Sequence, residues 1–192
     1  SIDKSSVSDF PWVPIGNAKG LIEGLFFDGK NHTIYGLNLA SKKDTVFGLF
    51  GFVDYGEFKN VTLANYSASF VADSSVFVED FLGGSLVGYA AYSKIHNVHT
   101  RDGLIKFEAL PRTKIGDDVV GVNHVIIGNI VGEIDGDIDS CSNASDIEVH
   151  FDSYQKLGGI VGSILASGVT ILLDSISYCS NTEKIVSKSQ ST

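Results

Sequence analysis

Apolar residues along this chain fall into short groups that recur, separated by glycines and by single bend-forming residues. Four segments share the form small, any, apolar, apolar, Gly. They are Val46-Phe47-Gly48-Leu49-Phe50-Gly51, Gly83-Gly84-Ser85-Leu86-Val87-Gly88, Ile127-Gly128-Asn129-Ile130-Val131-Gly132 and Leu157-Gly158-Gly159-Ile160-Val161-Gly162. A second group, of the form apolar, any, bend residue, apolar, follows each one: Phe58-Lys59-Asn60-Val61, Ile95-His96-Asn97-Val98, Ile138-Asp139-Ser140-Cys141 and Ile176-Ser177-Tyr178-Cys179. Ile34-Tyr35-Gly36-Leu37 fits the same frame, which makes five copies spaced by 24, 37, 43 and 38 residues.

Two apolar positions three residues apart are out of phase with the two-residue period of a strand. A bend between them is needed if both are to face inward, and Asn and Gly tolerate the left-handed backbone that such a bend uses. The copies therefore predict two rows of stacked inward residues: Ile34, Phe58, Ile95, Ile138 and Ile176 in one, and Leu37, Val61, Val98, Cys141 and Cys179 in the other. Between the copies, β-branched and aromatic residues alternate with polar ones, and no sustained 3.6-residue period argues for helix.

These features predict an all-β fold, a right-handed parallel β-helix of about five rungs. A β-sandwich of hairpins is the alternative, but it has no reason to repeat one inward-facing group. The chain reads as a single domain, with an N-terminal cap over residues 1–20 covering an open sheet edge, repeats over 21–180, and a tail or linker over 181–192. Residues 66–81 and 101–123 are expected to be long inserts on one side, where a binding surface would lie.

Composition narrows the function. With 43% hydrophobic and 19% charged residues, the chain is globular rather than disordered. Its net charge is −9 and its 14 basic residues are scattered, with Lys42-Lys43 the only adjacent pair. Nucleic acid, which needs clustered cations, is not an expected partner. No apolar run approaches the length of a membrane span, so this segment is not expected to insert in a bilayer. The chain opens without Met and is expected to be part of a longer one.

The motif residues resemble the GLUG-motif repeats of bacterial cell-surface and adhesin-like proteins, which also occur in immunoglobulin A peptidases of Gram-positive bacteria. The Gly-Leu-any-Gly core stands as Gly48-Leu49-Phe50-Gly51. A lead-in similar to that family's is Trp12-Val13-Pro14-Ile15-Gly16 followed by Phe27-Asp28-Gly29-Lys30-Asn31-His32-Thr33-Ile34. Asn31 stands where the family usually has Gly, and one extra residue sits at Phe26-Phe27. The resemblance implies a β-helix on the surface of a secreted bacterial protein. It carries over no catalytic residue, because the motif is structural.

Candidate chemistry is sparse. Asp135, Asp137, Asp139 and Asp146 fall at loop positions 1, 3, 5 and 12 of a calcium-loop register, but position 6, where the turn needs Gly, is Ser140. A solvated acidic bend is the leading reading of Asp135, Asp137 and Asp139, with a weak calcium site as the alternative. His96 and His99 straddle a bend and read as surface residues, as do His124 and His150, while His32 is expected to cap a turn. Ser85 lacks the closing Gly of a nucleophile elbow. Asp73, Glu79, Asp80, Asp117, Asp118 and Asp152 are acids that would have to pair across strands to hydrolyse glycosides. Cys141 and Cys179 read as two buried free thiols in one row, acting as small hydrophobes. Tyr55, Tyr66, Tyr89 and Tyr92 lie near bends, as ordinary strand tyrosines or as a binding face.

The expected function is an adhesin-like or structural binding module of a secreted bacterial protein, extracellular or at the cell surface. It has no catalysis of its own and no cofactor other than the calcium alternative. Its partner would be a host or partner glycan or protein. The competing reading is a β-helix carbohydrate-active enzyme or the accessory domain of a secreted peptidase.

Overall fold

A computed structural model of the chain describes residues 12–16, 20–39, 45–71, 77–109, 111, 113–115, 117–165 and 175–188. The regular elements among them are all strands. The first eight are β1 (Ile22–Glu23), β2 (Phe26–Tyr35), β3 (Val46–Phe47), β4 (Phe50–Asp54), β5 (Glu57–Ala64), β6 (Ser67–Val71), β7 (Phe77–Gly83) and β8 (Val87–Glu108). There follow β9 (Thr113–Ile115), β10 (Asp118–Gly128), β11 (Val131–Asp139), β12 (Ser142–His150), β13 (Tyr154–Gly158) and β14 (Val161–Ile164). The last three are β15 (Ile176–Ser177), β16 (Ser180–Asn181) and β17 (Ile185–Lys188). No helix among the described residues is long and apolar enough to cross a membrane.

The strands form two sheets. A 12-stranded sheet runs β1-β4-β8-β11-β14, with β2, β5, β6, β12, β15, β16 and β17 joined to its sides. A 5-stranded sheet runs β13-β10-β7-β3, with β9 beside β10. The β9–β10 pair is antiparallel, whereas the others between named strands are parallel.

This arrangement corrects the right-handed parallel β-helix of about five rungs that the repeat predicts. The strands are ordered as two sheets of unequal size with a local antiparallel pair, not as a stack of equivalent rungs. One strand, β8, runs for 22 residues and borders β4, β5, β6, β11 and β12. A repeated bend fixes the register of neighbours. It does not fix how far a ladder continues through the bend, or how the strands are shared between sheets.

The expected inserts are also corrected. Residues 66–81 hold β6 and most of β7, and 101–123 hold the end of β8, β9 and part of β10. Within the expected N-terminal cap, Trp12 Nε1 donates to the Leu49 carbonyl at 3.0 Å and Ile15 bridges Phe50, while residues 1–11 and 17–19 lie outside the described residues. In the expected tail, β17 pairs with β12 in parallel.

The bends follow the sequence closely. Asn60, Asn97, Ser140 and Tyr178, the bend residues of the second group, have φ of 56°, 52°, 55° and 51°. Two further columns share the left-handed backbone: Tyr55 and Tyr92 at 54° and 49°, and Asn65 and Asp102 at 52° and 54°. The chain thus turns at Tyr55, Asn60 and Asn65 and again at Tyr92, Asn97 and Asp102. The asparagines also pair laterally, Asn97 Nδ2 donating to Asn60 Oδ1 at 2.9 Å and Asn60 Nδ2 to Asp28 Oδ1 at 3.1 Å.

Phe58, Ile95, Ile138 and Ile176 stand directly opposite one another in successive strands, and Val61 opposite Val98. Cys141 and Cys179 are bracketed by the pairs Asp139–Ser177 and Ser142–Ser180. The first copy needs correction: Ile34 faces Leu63 rather than Phe58, and the Leu37 carbonyl accepts from Ser67, one bend further on. The residues that actually face Phe58 and Val61 are Phe27 and His32, because the bend at Lys30-Asn31 takes up two extra residues.

Inside, Phe47, Phe70, Phe81, Phe107 and Phe151 form a continuous aromatic row, with successive centroids at 4.0, 5.2, 4.4 and 6.0 Å. The motif glycines admit close backbone approach beside it. A Cβ at Gly83 would lie 1.8 Å from the Phe47 ring, and one at Gly132 would lie 2.5 Å from the Gly88 carbonyl oxygen.

Candidate functional site

The glycine motifs fold the two sheets against each other so that outward residues of one meet outward residues of the other. On the larger sheet, Phe52, Tyr89, Glu133 and Ser163 stand in register across β4, β8, β11 and β14. They alternate with the inward row Val53, Ala90 and Ile134, each fully buried. On the smaller sheet, Val46, Leu82, Ile126 and Lys156 stand in register across β3, β7, β10 and β13. The two rows line a crease, apolar at one end and polar at the other.

At the apolar end Val46, Leu82 and Ile126 are buried against Phe52 and Tyr89, and the Phe52 and Tyr89 rings lie 5.8 Å apart. At the polar end Lys156 Nζ donates to Ser163 Oγ at 2.9 Å, which leaves the Ser163 hydroxyl proton for Glu133. Burial pushes the Glu133 carboxyl up, and Asp80 pushes the same way. Ser163 and Lys156 oppose them. The far lip carries Asp80 and His124, whose Oδ1 and Nδ1 are 2.7 Å apart, and Tyr154 packed edge-on against the His124 ring at 5.1 Å.

The near lip is acidic and aromatic. Burial raises the Tyr89 phenol, and the charges of Asp54, Glu133 and Asp135 raise it further. Asp135 is only 7% exposed. It sits at a bulge, where Ile134 faces Ala90 and Gly136 faces Ser93, and so stands opposite Ala91-Tyr92. Beside it the Tyr92 ring stacks on Tyr55 with centroids 5.1 Å apart and planes 19° from parallel. Both rings are exposed, at 58% and 47% for Tyr55 and Tyr92.

Of the four tyrosines singled out from sequence, three meet here. Tyr66 does not: it is buried, with its hydroxyl donating to Asn129 Oδ1 near fully buried Ser85.

Of the calcium register, Asp135, Asp137 and Asp139 are spread along β11 and Asp146 lies on β12. Asp137 Oδ1 accepts from Ser175 Oγ at 2.8 Å, and Asp139 accepts from Ser177 Oγ at 2.8 Å and faces His96 Nδ1 at 2.8 Å. Ser177 chiefly, with Ser140 and His96, holds the Asp139 carboxyl down. Among the described residues no group of three or more His, Cys, Asp or Glu is placed to hold a metal ion. His96 therefore has a carboxylate partner that its own neighbourhood in sequence does not supply, and His99 is held by Asn97 and Ser142 at 2.9 and 2.8 Å.

Of the expected loop acids, Glu79 is engaged by Asn123 at 2.7 Å and Asp80 by His124. Asp73 lies outside the described residues. Both cysteines are free, but only Cys141 is buried as expected, Cys179 being partly exposed; burial pushes the Cys141 thiol up to about 12, so it is inert packing rather than a nucleophile. The crease residues Glu133, Lys156 and Ser163 were not singled out from sequence, because only strand register brings them together.

No family model matches the chain, and no curated protein matches it. Among solved structures, it is similar to that of a candidate immunoglobulin A1 protease from Bacteroides ovatus, with 19% identity and a TM-score of 0.46, covering 95% of this chain and 67% of that one. A likeness at that level assigns neither a family nor an activity to this chain.

Proposed function

We propose that the chain is a binding module without chemistry of its own, an accessory part of an exported bacterial protein that engages a glycan or protein outside the cell. The observation that carries this reading is the exposed Tyr55–Tyr92 stack on left-handed backbone. A bulky L-residue in that region costs about 1–2 kcal/mol relative to an allowed backbone. Glycine makes the corresponding turn in the preceding strand, where Gly24 donates to the Asp54 carbonyl as Tyr55 does to that of Ala91. Two tyrosines in place of glycine thus weaken the fold locally and gain two parallel rings facing solvent. Strain of this kind, held where a simpler residue would serve, marks a surface kept for recognition.

The resemblance to GLUG-motif repeats is in keeping with an extracellular setting. Glu79, Asp80, Asp137 and Asp139, each engaged by an amide, imidazole or hydroxyl partner, favour binding over glycoside hydrolysis.

The test is the double variant Tyr55→Gly/Tyr92→Gly, compared with wild type on a glycan array and on a peptide array. The variant is expected to melt no lower than wild type yet to lose binding to a ligand that wild type retains. Equal binding by both proteins, or binding by neither, would overturn the reading.

A further inference from the structure

The row that follows the second-group bends changes character as it reaches the end of the larger sheet. Val61 and Val98 stand opposite one another, and the last two places are taken by Cys141 and Cys179. The pairs Asp139–Ser177 and Ser142–Ser180 enclose the two cysteines, and the Ser180 amide donates to the Cys141 carbonyl at 3.0 Å. Residues so placed on neighbouring strands have Cα atoms about 5 Å apart, inside the roughly 4.4–6.8 Å over which a disulfide closes. The sulfurs are near each other as well. Burial is the main cause of the raised Cys141 thiol, and Cys179 beside it adds to the rise.

The two thiols share one orientation, each donating to the carbonyl two residues before it, Asp139 and Ser177, at 3.2 Å. A disulfide holds its Cβ–S–S–Cβ torsion at about 85–100°, so one sulfur has to leave that orientation. Cys179 has the room. It is partly exposed, it follows the exposed Tyr178, and it lies between β15 and β16. Those strands have two residues each and are paired on one side only among the described strands. Their Ile176 is half-exposed, whereas Ile138 opposite it is fully buried. An edge held by so few contacts opens early, and a covalent tie there suppresses the opening.

We infer that Cys141 and Cys179 are the two halves of a disulfide, closed by exchange with a low-molecular-weight disulfide such as oxidised glutathione, which clamps the β15–β16 edge to β11 and β12. The Cys179 thiolate attacks one sulfur of the reagent, expels one glutathione and leaves a mixed disulfide. Cys141, inert toward reagents in solution, then has its target beside it, and its sulfur displaces the second glutathione from Cys179. Two protein thiols are oxidised to one disulfide and one reagent disulfide is reduced to two thiols. The two thiol protons end on the two glutathione molecules released. The bond does not depend on the Tyr55–Tyr92 platform or on what binds there.

The experiment equilibrates the reduced chain with oxidised glutathione in native buffer, followed by intact mass, non-reducing peptide mapping and melting. Expected are the loss of two hydrogens with no glutathione retained, a peptide pair joined through Cys141 and Cys179, and a Tm raised by about 5–10 °C and restored by dithiothreitol. Cys141→Ser should stop at the mixed disulfide on Cys179, and Cys179→Ser should take up no glutathione. If Cys141→Ser fails to fold, the wild-type masses and Cys179→Ser, which alters a partly exposed side chain, still decide. Wild type that stays reduced, keeps glutathione on Cys179, links chain to chain, or closes the bond only in urea would overturn the disulfide. An oxidised protein with an unchanged Tm would overturn the clamp.

Discussion

Placing a single methyl group at Gly83 tests how tightly the glycine motif holds the two sheets. The Cβ of Gly83→Ala would fall 1.8, 2.2 and 2.6 Å from three carbons of the Phe47 ring. An ordinary carbon–carbon contact is about 3.5–4.0 Å, so the ring would have to retreat by roughly 2 Å. It has nowhere to go. Phe47 is 1% exposed, and the Phe70 ring already lies 4.0 Å from it on the stacked side. The alternative is to pull β3 from β7 and lose the Phe47–Gly83 pairing. Overpacking of a rigid core costs about 1–3 kcal/mol, and this contact belongs at the upper end. For a chain of this size each kcal/mol lowers Tm by about 2–4 °C, so a fall of roughly 6–12 °C is expected by calorimetry. Phe47→Ala alone should cost about 3–5 kcal/mol through the cavity it opens. In the double variant the new methyl enters that cavity, and the combined loss should be smaller than the sum by about 2 kcal/mol, within the range for residues in contact. Additive losses, or a Gly83→Ala protein as stable as wild type, would show that the close approach is not what the glycine provides.

Three further outcomes follow from the same geometry. At Asn97, with φ of 52°, Gly should be better tolerated than Ala, and Val should be worst, with about 1–2 kcal/mol between Val and Gly in urea unfolding. The Asp28 carboxyl is held at about 2, against an ordinary value of 3.8, by the Lys30 amide first and then by Asn60 and Lys30 side chains. Its folded value lies below its unfolded one, so the stabilisation is present above the ordinary value and lost as pH falls toward 2. Asp28→Asn should lower stability at neutral pH and flatten the acid limb of the profile over roughly pH 4 to 2, so that the two proteins converge near pH 2. With Cys141 buried and its thiol raised, a thiol reagent added to the native protein should label Cys179 well before Cys141, as mass spectrometry of the two peptides would show.

What the sequence made legible was local. An apolar pair three residues apart demands a bend, and Asn60, Asn97, Ser140 and Tyr178 supply it with the backbone sign anticipated. The frame itself was ambiguous at Ile34-Tyr35-Gly36-Leu37. Bends recur every five residues, at Tyr55, Asn60 and Asn65 for example, so a copy displaced by one bend satisfies the same pattern. Gly36 in fact neighbours the Asn65 column, its amide bonding the Ala64 carbonyl. The sharing of strands between two sheets could not be read because identical motifs are compatible with either arrangement. Contacts such as His96 with Asp139, 43 residues apart, and the whole crease at Glu133 depend on register across strands, to which local patterning is blind.

The parallel register along β8 also bears on how the chain reaches its fold. Partners across neighbouring strands are separated by 37, 43 or 38 residues, at Asn97 with Asn60, His96 with Asp139 and Ser177 with Asp139. Loop-closure entropy grows only slowly with length, by about 0.6 kcal/mol per doubling, so these closures are nearly equal in difficulty. None is short, and the first cannot borrow stability from a neighbour already in place. Folding should therefore wait on one initial closure around β8, which borders strands on both sides. Later strands would add onto an edge already laid down. A lesion in β8 then slows the onset of folding, whereas the same lesion in β17 leaves the onset untouched and frays only the last edge.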